Sequence, residues 1–263
     1  MLTPKGRVTD HLKLVRTSDT VYADVEPSRA ALLKQFFDER VFITRVEISD
    51  VSEELGLIEV FGPDSGEAVK AVEGSLAVVP LERPLPGAVI WAPRGYIEAI
   101  SSALRSHGVA PSSAEDLEEV RVIEGSPRIG IDYGDHHLPQ EAALEYLVHF
   151  AKGCYLGQEA VAMAQRGTVK RRLRHLHFEG EALTGRVLYE NDEAGTATSA
   201  AKIVGVSRGI ATIKTSVPID ARVTVVSDES RSDAVVKALP GTIDGPELPS
   251  ARELRERLQG SKT

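Results

Sequence analysis

Lys152-Gly153-Cys154-Tyr155-Leu156-Gly157-Gln158-Glu159 holds the only cysteine of a 263-residue chain. A lysine stands two residues before the thiol, and a glycine lies on either side of it. A Gln-Glu pair follows, then the small apolar run from Ala160 to Ala164. Glycine reaches backbone angles that other residues avoid. The stretch therefore reads as a turn that delivers Cys154 to the start of a short helix. The positive end of such a helix and the Lys152 ammonium would both favour a thiolate. Thiolates attack electrophiles and bind soft metals. The competing reading of a lone cysteine is a small buried hydrophobe.

Lys-Gly-Cys-Tyr-x-Gly-Gln-Glu specifies seven of eight positions. It resembles the signature of the YgfZ family of folate-binding proteins, relatives of the glycine-cleavage T-protein (aminomethyltransferase). Further segments fall in the family's order. Pro4-Lys5-Gly6-Arg7-Val8 is similar to its Lys-Gly-Arg strand. Arg121-Val122-Ile123-Glu124-Gly125-Ser126-Pro127 is similar to its Arg-x-x-x-Gly-x-Pro element, and Leu138-Pro139-Gln140-Glu141 to its Leu-Pro-x-Glu step. Arg166-Gly167, Lys170-Arg171-Arg172-Leu173 and Gly195-Thr196-Ala197-Thr198-Ser199 match later segments. The resemblance runs from about Leu2 to Pro240. Two departures stand out. Family members carry a strand and helix ahead of Lys-Gly-Arg, whereas Met1 lies almost on top of it here. Ala162-Met163-Ala164 also lacks a basic residue often found after the signature.

The resemblance implies an α+β fold, with two interleaved ferredoxin-like α+β domains and a small C-terminal β-barrel around a central cavity. Residues 1–48 and 113–171 would form a discontinuous folate-binding domain, and 49–112 a ferredoxin-like domain. Residues 172–241 would form the barrel, and 242–263 a linker and terminal helix. The family supports assembly or repair of iron–sulfur enzymes, including enzymes that modify tRNA. Its resemblance implies tetrahydrofolate or a related folate as ligand and iron–sulfur client enzymes as partners. Cys154 would be the reactive thiol, with Lys152 beside it. Glu159, Gln158, Tyr155, Gly157, Gly153, Arg121 and Glu124 would contribute to the folate site. A cluster normally needs four ligands, so one thiol holds none stably. The alternative is a tetrahydrofolate-dependent aminomethyltransferase or demethylase, which needs a positioned acid–base group. The T-protein's catalytic acidic residue has no match here. A third reading is an interaction scaffold without ligand.

The residues carry their own evidence beside the resemblance. A buried carboxylate at Glu159 or Glu124 could meet the donor edge of a pterin with paired, charge-assisted bonds. Glu159 could equally be a first-turn carboxylate favoured by the helix dipole. Adjacent His136 and His137 read as a polar loop, and His175 and His177 share parity on a strand. One cysteine without Cys-x-x-Cys or His-Glu-x-x-His gives little support to zinc. No glycine-rich dinucleotide fingerprint, P-loop or Gly-x-Ser-x-Gly is present. The formal net charge of -8 argues against direct DNA binding, which needs clustered cations. Lys170-Arg171-Arg172-Leu173-Arg174 is the local exception, either facing an anionic ligand or guarding a strand edge. No apolar run approaches the roughly 20 residues that span a membrane, and no signal peptide is evident. A single cysteine suits a reducing cytoplasm.

Apolar periodicity orders the remaining elements. Gly6 to Arg16 reads as a strand, paired with Val21 to Val25. A helix runs from Pro27 to about Arg40, and Val41 to Ile48 returns as a strand. Gly56 to Phe61 and Ala88 to Trp91 are strands. Asp64 caps a helix ending near Glu73, and a further helix runs from about Arg94 to Ser106 before Gly108. Pro80 to Gly87 reads as a loop. Ser113 to Asp116 resembles a capping box ahead of a short helix and an Arg121 strand. Arg186 to Tyr189, Lys202 to Val206, Ile210 to Ile213 and Arg222 to Val226 are short strands of a barrel or sandwich. Ser250 and Glu253 box the terminal helix.

Overall fold

The computed structural model describes residues 1–41, 45–149, 151–166, 169–248 and 250–260. They form two compact units. One is His11–Pro111 with Pro249–Thr263, the other Met1–Asp10 with Ser112–Leu248.

In the first unit, β1 (Lys13–Arg16) and β2 (Val21–Asp24) form an antiparallel hairpin. A 3-10 turn over Pro27–Arg29 leads into α1 (Ala30–Asp38), which buries Leu33. β3 (Leu55–Phe61), the single turn α2 (Ser65–Ala68), β4 (Ala77–Leu81), β5 (Gly87–Pro93) and α3 (Ile97–Ser106) follow. The sheet order is β3-β5-β4, all antiparallel. Successive strand side chains point to opposite faces, and central β5 is covered on both. Ile90 and Ala92 pack with Ile100 and Leu104 of α3, while Val89 and Trp91 pack with Val15 of β1.

Three local expectations change. Gly6 to Arg16 is not one strand, because Gly6 turns the chain at φ +70° and only Lys13–Arg16 is extended in a sheet. Arg45 to Ile48 has no regular structure, and residues 42–44 lie outside the described residues. β4 occupies ground taken for a loop. Its Pro80 stands on an edge strand, where the missing N–H breaks no interior ladder.

In the second unit, α4 (Ala114–Ile123) opens on the expected capping box. Ser113 Oγ accepts from Asp116 N–H at 3.0 Å, and Asp116 Oδ2 accepts from Ser113 N–H at 2.7 Å. The helix continues through Arg121, which is therefore not on a strand. Gly125 at φ +66° ends it, with Ser126 N–H donating to the Arg121 carbonyl and Gly125 N–H to the Val122 carbonyl. After α5 (Gln158–Arg166) come β6 (Arg171–Phe178), β7 (Gly185–Tyr189), β8 (Asp192–Ile203), β9 (Val206–Lys214), β10 (Arg222–Val226) and β11 (Arg231–Lys237). These six strands close into an antiparallel barrel, β10-β11-β6-β9-β8-β7. The run Lys202 to Val206 is not one strand. It spans the β8–β9 hairpin turn, where Val204 and Gly205 both have positive φ. Leu176, Val187, Ile213, Val225 and Val236 fill one core, as expected of a small barrel. A second core joins Val8, Tyr133, Ala142, Leu144, Leu173, Ile210 and Leu239. α6 (Ala251–Gly260) belongs to the first unit and is boxed by Ser250 and Glu253 as expected.

Candidate functional site

Two turns far apart in sequence meet at the start of α5. The chain folds back over Thr3 to Arg7, with Gly6 N–H on the Thr3 carbonyl at 2.9 Å. This turn lies against Gly157, which has φ +81°. A Cβ on Gly157 would stand 2.5 Å from the Thr3 carbonyl oxygen and 2.8 Å from Gly6 Cα. A Cβ on Gly6 would stand 2.9 Å from Ala160 Cβ. Both glycines are thus required by the crossing of two backbones, and Gly157 also by its left-handed angle. Gly153 differs, since its φ is not in the left-handed range and a Cβ there would meet nothing within 4 Å.

Gln158 tightens the entry to α5, its Oε1 accepting from Tyr155 N–H at 3.3 Å. Val161 is fully buried and anchors the helix, whereas Glu159 is exposed in its first turn, where the dipole favours a carboxylate. Cys154 is exposed, as are Lys152 and Leu156. The thiol therefore is not a packed hydrophobe. It precedes Gln158 by four residues, and so lies outside the first helical turn, where the dipole is felt. The Lys152 ammonium lies 4.6 Å from the centroid of the Tyr155 ring, a cation–π arrangement. An exposed thiol on an anchored turn can attack an electrophile or ligate a soft metal.

Leu138 to Glu141 is the hub of the arrangement, and none of its residues was singled out as a site. Glu141 is 6% exposed, and its Oε2 accepts from Arg7 Nη1 and from Leu138 N–H, each at 2.9 Å. Arg171 Nε stands 3.5 Å from the other carboxylate oxygen. The Glu141 carbonyl accepts from Leu173 N–H at 2.8 Å. Gln140 Nε2 donates to the Val161 carbonyl at 3.1 Å. One turn thus ties the N-terminal segment to α5 and β6. Beside it, His137 is buried rather than in a polar loop. Its Nδ1 accepts from Gly134 N–H at 3.2 Å.

Arg121 and Glu124 stand elsewhere, at the C-terminal end of α4. All five Arg121 N–H donors find partners inside the protein. Nε donates to Glu118 Oε2 at 2.7 Å, and Nη1 to Asp132 Oδ2 at 2.8 Å and the Ser126 carbonyl at 3.2 Å. Nη2 donates to Ser199 Oγ at 2.9 Å and to Glu118 Oε1. Asp132 Oδ1 accepts from both Thr198 and Ser199 hydroxyls at 2.6 Å. Neighbouring strand residues normally point to opposite faces, but β8 carries a bulge between Ala197 and Ser199 that brings both to one carboxylate. The basic segment is likewise paired: Arg172 with Glu145 at 3.0 Å, and Arg172 and Arg174 with Asp244 at 3.3 and 3.4 Å.

His175 Nε2 lies 2.9 Å from the Val122 carbonyl and so carries the proton. Its Nδ1 then accepts from His177 Nε2 at 3.3 Å. Burial is the main cause that lowers the pKa of His137, His175 and His177, each from 6.5 to about 4. With folded values depressed, the unfolded chain takes up these protons first as pH falls. The stabilisation is complete above about 6.5, the unfolded value, and is lost as pH drops towards 4. The urea midpoint should fall across that window, and His175→Gln should flatten the fall. Parallel pH profiles for variant and wild type would contradict the assignment.

Among the described residues, no group of three or more His, Cys, Asp or Glu is placed to hold a metal, and no helix is long and apolar enough to cross a membrane. No family model matches the chain. It is 31% identical over 178 residues to the tRNA-modifying protein YgfZ of Colwellia psychrerythraea, covering 61% of this chain and 53% of that protein. It is 27% identical over 159 residues to a mitochondrial iron–sulfur cluster assembly factor IBA57 homolog of Mycosarcoma maydis, covering 58% and 36%. The chain therefore spans about half or less of the length of these curated relatives. The crystal structure of the glycine cleavage system aminomethyltransferase T from Bartonella henselae matches with a TM-score of 0.78 at 14% identity, over 95% of this chain and 76% of that one. The chain is thus YgfZ-like in sequence and, in fold, a relative of the glycine-cleavage aminomethyltransferases.

Proposed function

We propose that this chain is a folate-binding accessory factor for the assembly or repair of iron–sulfur enzymes, tRNA-modifying enzymes among them. The observation that carries the reading is the exposed Cys154 on a turn pinned by the Gly6–Gly157 crossing. A packing cysteine needs no such anchor, whereas a thiol presented to a partner does. Cys154 acts as the working thiol by transient ligation or exchange, since one sulfur cannot hold a cluster stably. Lys152 and Tyr155 shape its surroundings through their stacked contact. Gln158 and Gly157 set the entry to α5, and Glu159 offers a carboxylate at its first turn. Arg121 serves the site only as a positioning residue, because its donors are all engaged within the protein.

Titration with tetrahydrofolate, followed by an assay with an aminomethyl donor, tests this. The expected result is saturable binding without turnover. Turnover would favour the aminomethyltransferase reading, to which the shared fold lends some support. Absence of binding would favour a scaffold without ligand.

A further inference from the structure

Buried polar side-chain atoms nearly always have partners, and exceptions call for an explanation. Among the described residues, four such atoms have no hydrogen bond: Trp91 Nε1, Gln140 Oε1, Glu145 Oε1 and the Tyr155 hydroxyl. Trp91 lies in the other unit. Glu145 Oε1 stands 3.0 Å from Arg172 Nη1 and is ion-paired. The two that remain both attach to the start of α5. Gln140 is 2% exposed, and its carboxamide is bonded to Val161 in the first turn. Tyr155 leads into that turn, and its backbone N–H is bonded to Gln158.

The orientation of the Gln140 carboxamide is determined by its partner. A main-chain carbonyl only accepts, so the nitrogen must face Val161. The oxygen is then an acceptor held rigidly, out of water and without a donor. Leaving such an acceptor unpaired is costly, and a bound donor relieves that cost.

We propose that Gln140 Oε1 and the Tyr155 hydroxyl are polar contacts for the ligand of this site. Gln140 accepts from a ring N–H or an exocyclic amine, and Tyr155 bonds a second polar atom of the same molecule. An aminopteridine, the head group of a folate, carries such donors and acceptors on a flat, largely apolar body, which is the kind of ligand that buried sites with few polar groups select. The inference rests on the folate reading and deepens it by naming the residues that recognise the head group.

Calorimetric titration with 5-formyltetrahydrofolate of the wild-type chain, Gln140→Leu and Tyr155→Phe tests it. One hydrogen bond of ordinary net strength corresponds to roughly 5–10-fold in Kd, so each variant should bind about that much more weakly. Gln140→Leu also loses its bond to Val161. Tyr155→Phe loses only a hydroxyl, so its ligand-free melting temperature should stay close to that of the wild type. Should Gln140→Leu fail to fold, Tyr155→Phe decides alone. Wild-type binding with unchanged affinity in the variants would overturn this inference and leave the folate reading standing. A wild-type chain that binds no folate would overturn both.

Discussion

Gly157→Ala should lower the unfolding free energy by about 3 kcal/mol, whereas Gly153→Ala should change it by less than about 0.5 kcal/mol. The two glycines flank the same thiol and look alike in the sequence. Their surroundings differ. At Gly157 a methyl group would meet main-chain atoms of Thr3 and Gly6 at 2.5 to 2.9 Å, on a backbone at φ +81°. Main-chain atoms cannot swing aside as a flexible side chain does, so either the N-terminal turn detaches or α5 shifts. At Gly153 the methyl group meets open space. Urea unfolding of the two variants measures the difference directly. Alkylation of Cys154 in the folded proteins should change rate in Gly157→Ala only, because the Gly6 crossing holds the turn that presents the thiol. Equal destabilisation by both substitutions would mean that the crossing does not set the turn.

The site was legible in the sequence where chemistry is concentrated in consecutive residues. Cys154, its flanking glycines and the Gln-Glu pair announced a turn entering a helix, and α5 begins at Gln158. The barrel was legible from short β-branched runs between turn residues, and its strands fall where most of those runs stand. What escaped depends on contacts between distant residues. Nothing local in Lys5-Gly6-Arg7 says that Gly6 lies on Gly157, or that Arg7 bonds Glu141. Arg121 read as a strand residue because Val122 and Ile123 follow it. In the structure the capping box at Ser113 and the Glu118–Arg121 pair, three residues apart, carry the helix through it. The shared grip of Thr198 and Ser199 on Asp132 requires a bulge that alternation alone cannot signal. Gln140 was visible only as a variable position in a Leu-Pro-x-Glu step. Its burial and its unpaired oxygen belong to the folded chain.

The same distinction separates the two kinds of arginine in this protein. Arg7 and Arg171 converge on Glu141, beside the signature turn, and remain more than a third exposed. Arg121 is almost wholly buried on Asp132 and Glu118. A buried pair costs much to break but need not stabilise more than an apolar pair would. Its value here is positional, since it joins α4 to β8 through Asp132 and Ser199.

Cys154→Ala bears on the central claim most directly, and its effect on function should be the largest of all. The side chain is exposed and small, so the variant should fold as the wild type does. The measurement is the activity of an iron–sulfur tRNA-modifying enzyme in cells that lack their own factor of this kind, at equal levels of the two proteins. The account predicts that the wild-type chain restores the activity and that Cys154→Ala restores almost none. Full restoration by Cys154→Ala would contradict it, and would leave the thiol without a role in the chain's function.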